Sequence, residues 1–106
     1  MAWLYLLAAG SLEVVWAYFM KRSDGFTELA PAAITIVTMI ASFALLALAM
    51  KSLPLGTAYA IWTGIGAVGA LVVGMIVLGE PISLMRLAAG TMIVGGIVMM
   101  KLSSLS

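Results

Sequence analysis

Neither histidine nor cysteine occurs in the chain. Their absence removes imidazole bases, thiol nucleophiles, disulfides and the usual soft-metal ligands, so no metal or other cofactor is expected. Only carboxylate, hydroxyl and indole groups are left to carry chemistry. Charge is scarce too: Asp, Glu, Lys and Arg together make up 8% of the 106 residues, against about 25% in an ordinary soluble domain. The net charge is +1 with no cluster of Lys and Arg, which argues against nucleic acid as a partner and against a polybasic arm on a membrane surface. What is abundant is apolar: 65% of the residues are hydrophobic. This is the composition of an integral membrane protein.

Polar punctuation divides the chain into four apolar runs, roughly 2–20, 29–50, 53–79 and 82–100. Each is long enough to span a bilayer as a helix. The reading is therefore a single four-helix transmembrane domain over residues 1–106. Pro31, Pro54 and Pro81 stand at or near the start of a run, where a missing N–H costs little. Asp24-Gly25 suits a turn, and Glu28 is placed to favour the positive end of the second helix. The links are short, so successive helices are expected to pack as antiparallel neighbours. The first run lacks the positive n-region of a signal peptide and continues to Met20, so it is read as a retained helix.

One ionisable residue interrupts the spans. Glu13 lies 11 residues after the start of the first run at Ala2, roughly 17 Å deep at about 1.5 Å per residue. A charge at that depth costs about 2.5–3.5 kcal/mol even on lenient insertion scales, so it is expected to face protein or a wet cavity and to mark a pathway. Ala9, Gly10, Glu13, Trp16, Ala17 and Met20 share its helical face. Small residues thus flank the acid, and the Trp16 indole one turn above offers a π face to a cation. Trp16 also suits a lipid-interface anchor, but Trp3 already holds the interface position.

The third run adds Tyr59, Trp62 and Gly66 on one face. Gly64, Gly66, Gly69 and Gly74 loosen this helix. They suit either a hinge centred on Gly64 and Gly66 or small-residue packing seams, Gly56-Ala60-Gly64 and Gly66-Ala70-Gly74. Thr35, Thr38 and Ser42 supply hydroxyls in the second run. Most such groups bond back to their own helix, but Ser42 lies at a depth comparable with Glu13. The fourth run carries Gly90, Gly95 and Gly96 without a mid-span charge and reads as a helix that packs a dimer.

Charge hardly fixes the orientation. Lys21, Arg22 and Arg86 fall on one side, and Lys51, Lys101 and the terminal amine on the other, so insertion in both orientations is expected under the positive-inside rule. A dimer would bring two copies of Glu13 together, and opposite insertion would give it the inverted symmetry on which many transporters build alternating access.

The constellation resembles the small multidrug resistance family of bacterial inner-membrane transporters over the whole chain. The resemblance rests on four short spans, a lone glutamate in the first, and Tyr-x-x-Trp-x-Gly-x-Gly in the third. Gly10, Glu13, Trp16, Ser42, Tyr59 and Trp62-Thr-Gly-Ile-Gly66 look like its guanidinium-exporting branch. The quaternary-ammonium branch typically has glycine at the position of Trp16 and tyrosine at that of Met39. The resemblance implies an antiparallel, dual-topology homodimer and a Glu13 contested by protons and substrate, with Trp16, Ser42, Tyr59 and Trp62 lining the site and orienting the carboxylate. It implies proton-coupled export of guanidinium and small guanidinyl cations, without enzymatic activity. Two other roles compete: a broad exporter of quaternary ammonium compounds and, more remotely, a rotor or assembly subunit. Four spans with the acid in the first argue against the last.

Overall fold

The computed structural model describes residues 2–105. Among them are four α-helices: α1, Ala2–Arg22; α2, Leu29–Ala49; α3, Leu55–Ile76; and α4, Leu84–Leu105. All four are long and apolar enough to cross a membrane, and 21 residues at about 1.5 Å each match a hydrocarbon core of about 30 Å.

The ends of the helices follow local chemistry. After α1 the buried Ser23 organises the turn: its Oγ donates to Met20 O at 2.7 Å and accepts from the Phe26 N–H at 3.0 Å. Asp24, Gly25 and Phe26 all take positive φ there, which only glycine adopts without cost. Glu28 is the N-cap residue of α2 and makes no side-chain capping bond. Pro54 caps α3. The third apolar run extends to residue 79, but its helix stops at Ile76. Leu78 N–H reaches back to Val73 O, Glu80 N–H reaches back to Gly74 O, and Gly79 turns the chain at φ +70°. Helix α4 then starts at Leu84, with Ser83 Oγ accepting from the Arg86 N–H at 3.1 Å. It continues past the fourth run, through Lys101 to Leu105.

The helices form a slab, 45 × 34 × 16 Å over the Cα atoms. Their order across it is α2, α1, α3, α4: α1 packs on α2 and α3, while α4 packs chiefly on α3. Helices α1 and α2 pack closely, as do α3 and α4, whereas the α2–α3 contact is the slightest of the successive pairs. The backbones of α2 and α3 come close at only a few positions despite the short link, and the two helices meet through side chains, Ser42 and Phe43 against Trp62.

A small core of Leu6, Ala9, Leu46, Ala49, Ala58, Ile61 and Trp62 joins the first three helices at the Lys51 side. Close approach of α1 to α3 depends on Gly10, where an added Cβ would lie 2.7 Å from Ile65 Cβ. Thr35 and Thr38 bond back to Pro31 O and Ile34 O of their own helix. On α4, Met85, Met92 and Met99 are exposed, and among the described residues nothing lies within 4 Å of a Cβ at Gly95 or Gly96.

Candidate functional site

Glu13 occupies the middle of α1, partly buried, with its side chain directed to α3. Its carboxylate rests on the backbone of Gly66: a Cβ at that position would fall on the carboxylate atoms. The Oε1 atom is buried and has no hydrogen-bond partner among the described residues. A carboxylate at this depth is costly to leave unpaired. It is therefore an unsatisfied acceptor within the span.

One helical turn below, three helices are tied by two side-chain hydrogen bonds. Ser42 Oγ on α2 donates to Ala9 O on α1 at 2.7 Å, and Trp62 Nε1 on α3 donates to Ser42 Oγ at 3.0 Å. Ser42 is fully buried and Trp62 nearly so. Ala9 is four residues before Glu13, so its carbonyl also belongs to the helical turn that carries the acid. The hydroxyl expected to line the site and orient the carboxylate bonds here to the Ala9 carbonyl and the Trp62 indole. Ser42→Ala leaves the Trp62 N–H buried without an acceptor. A loss of roughly 1–3 kcal/mol is expected, read as a lower thermal midpoint of purified protein in detergent; an unchanged midpoint would show that the bond contributes nothing.

Aromatic rings run from this knot along one side of the slab. Tyr59 and Trp62 have centroids 5.5 Å apart, Trp62 and Phe43 5.7 Å, and Phe43 and Trp16 6.5 Å. Tyr59 is exposed on this face. Trp16, one turn beyond Glu13, is partly buried, and its Nε1 has no partner among the described residues. At the interface position, by contrast, Trp3 lies beneath Lys101 Nζ, 5.3 Å from the ring centroid.

Phe43 was not singled out from the sequence, although it joins the two tryptophans. Its signal was modest: it is the one aromatic residue of α2 and sits beside Ser42. The glycines divide by role. Gly64 receives Ile97 of α4, with a Cβ there 2.8 Å from Ile97 Cγ1, whereas a Cβ at Gly56 has nothing within 4 Å among the described residues. Gly66 and Gly74 receive carboxylates, that of Glu13 from α1 and that of Glu80 from the link before α4. Helix α3 runs without a break through Gly64 and Gly66.

A lone mid-span carboxylate, a hydroxyl–indole knot beneath it and an aromatic wall beside it are held by the first three helices. The profile of the Small Multidrug Resistance protein family matches residues 1–94. The chain belongs to the small multidrug resistance family. It is thus a multi-pass transporter of the bacterial membrane and not an enzyme. Within the family it is similar along nearly its whole length to proteins named guanidinium exporter. That of Escherichia coli strain K12 is 58% identical over 104 residues, covering 98% of this chain and 99% of the relative. That of Yersinia pseudotuberculosis is 56% identical, covering 98% and 100%, and that of Citrobacter freundii 56%, covering 98% and 99%.

Proposed function

We propose that this small multidrug resistance protein exports guanidinium and small guanidinyl cations in exchange for protons, working as an antiparallel homodimer with Glu13 as the shared binding group. The observation that carries the reading is the mid-span Glu13 carboxylate, whose Oε1 has no partner among the described residues. A planar guanidinium offers a carboxylate two parallel N–H bonds, whereas a quaternary ammonium has no N–H to give. The names of the relatives, at 56–58% identity over almost the whole chain, support the same substrate.

Coupling follows from exclusion. A carboxylate that has taken a proton no longer attracts the cation, and one that holds the cation no longer takes the proton. Two such groups in one dimer titrate as a coupled pair. Export runs on the inward proton gradient when the site opens alternately to the two sides. The slab supports the dimer: at 16 Å thick over the Cα atoms it does not enclose a mid-membrane site, and a second copy supplies the missing wall. The glycines at 64 and 66 are the positions at which α3 would bend.

The test is electrical recording from reconstituted protein on a solid-supported membrane, perfused first with guanidinium and then with a bulky quaternary ammonium ion. Currents with guanidinium alone support the reading. Currents with only the bulky ion would replace it by broad drug export, and silence with both would reject transport of either. Trp16→Gly removes the ring that packs on Phe43 and clears space above the acid. It is expected to admit the bulky cation, and an unchanged substrate profile would rule out Trp16 as the selective wall.

A further inference from the structure

A second carboxylate lies at the mouth of the α1–α3 seam. Glu80, in the link before α4, is held against the backbone of Gly74, where a Cβ would overlap its carboxyl group. It lines a cavity of about 140 Å³ with Tyr18, Lys21, Ala70, Gly74 and Leu78. Val14 forms the inner end of this cavity and follows Glu13 in sequence; its side chain fits against Gly69. From Gly74 to Gly66, the seat of Glu13, is eight residues of α3, about 12 Å along the axis. The cavity therefore stands above the mid-span acid on the same seam.

What Glu80 holds is itself a guanidinium. Arg86 Nη2 bonds to Glu80 Oε1 at 3.2 Å, and the Arg86 Nε is buried with no partner among the described residues. The two side chains are 38% and 42% exposed, a setting in which an ion pair adds little to stability. The pairing is thus incomplete, weak and accessible. At about 30 Å³ per water, the cavity has room for a cation of four heavy atoms and some water.

Resting on the guanidinium reading above, we propose that Glu80 is an outer, low-affinity station for the transported guanidinium ion, its carboxylate paired in the empty protein with the chain's own guanidinium, Arg86, which reaches it from outside the cavity. An arriving ion displaces Arg86 from the carboxylate and then passes along the seam to Glu13. Lys21, on the opposite wall, keeps the station weak, which lets the ion leave inward.

The signs of three substitutions test this. The measurement is the half-saturating guanidinium concentration of reconstituted protein, taken from the same currents. Glu80→Gln removes the acceptor and is expected to raise it about fivefold, while Glu80→Asp keeps it near the parent value. Arg86→Gln removes the competitor and is expected to lower it severalfold. Both shifts are expected to shrink at high salt, because the site is near the surface. Glu28→Gln, an exposed charge on the same side of the membrane, is the control for general surface potential and is expected to change little.

If Glu80→Gln and Arg86→Gln shift the value in the same direction, the pair is only a structural tie and the station is rejected. If neither moves it, or if Glu28→Gln matches Glu80→Gln, the station is likewise rejected. Absence of guanidinium current in the parent protein would instead overturn the underlying function, which keeps the two failures distinct.

Discussion

Glu13→Gln is expected to reduce guanidinium transport to the background of empty liposomes while leaving the protein folded. The amide matches the carboxylate in shape but neither carries charge nor exchanges a proton near neutral pH, so both coupled ions lose their binding group. Folding is not expected to suffer, because a charge in a span costs about 2.5–3.5 kcal/mol to insert and glutamine avoids that cost. A monodisperse variant of parental size in detergent, with no guanidinium current, is the predicted result. Retained proton-coupled uptake would remove Glu13 from the mechanism.

The second large effect is expected at Gly66. A methyl group there would stand where the Glu13 carboxylate now lies. The obstructed atoms are at the tip of a flexible side chain, so the carboxylate swings off α3 and the helices stay together. Gly66→Ala is therefore expected to cut transport at least about tenfold, the usual scale for a reacting group misplaced by an ångström or so, with little change in thermal midpoint. The contrast with Gly10 is informative, since an added Cβ there meets Ile65 Cβ, an atom fixed close to the α3 backbone. If Gly66→Ala transports guanidinium at the parental rate, the seat on α3 has no part in positioning the acid.

Much of this arrangement was legible in the sequence because the bilayer permits few solutions. Apolar runs bounded by Lys21, Lys51 and Glu80-Pro81 identify helices by length alone, and a carboxylate within one of them marks the site. The neighbours of each helix were less legible. Apolar side chains pack on lipid as readily as on protein, so nothing in the pattern of α2 or α3 shows that α1 lies between them.

Contacts made by backbone atoms were also hidden. The carbonyl of Ala9 takes the Ser42 hydroxyl, and the bare backbone of Gly66 seats Glu13, yet alanine and glycine look alike at every small position of these helices. Gly56 and Gly64 share one small-residue spacing and Gly66 opens another, but among the described residues a Cβ at the first meets nothing, at the second Ile97 and at the third the acid. Phe43 was passed over because a lone aromatic residue in an aliphatic span looks like any lipid-facing side chain. Only the positions of Trp16 and Trp62 on either side of it give it a role.

The central claim is that one carboxylate holds either a proton or a guanidinium ion, never both. It is tested most directly by adding guanidinium to purified protein in a weakly buffered detergent solution and following the pH. Proton release that saturates with guanidinium binding, and is absent in Glu13→Gln, is the predicted result. Guanidinium binding without proton release at any pH from 6 to 9, a range spanning about three units around neutrality, would contradict the account.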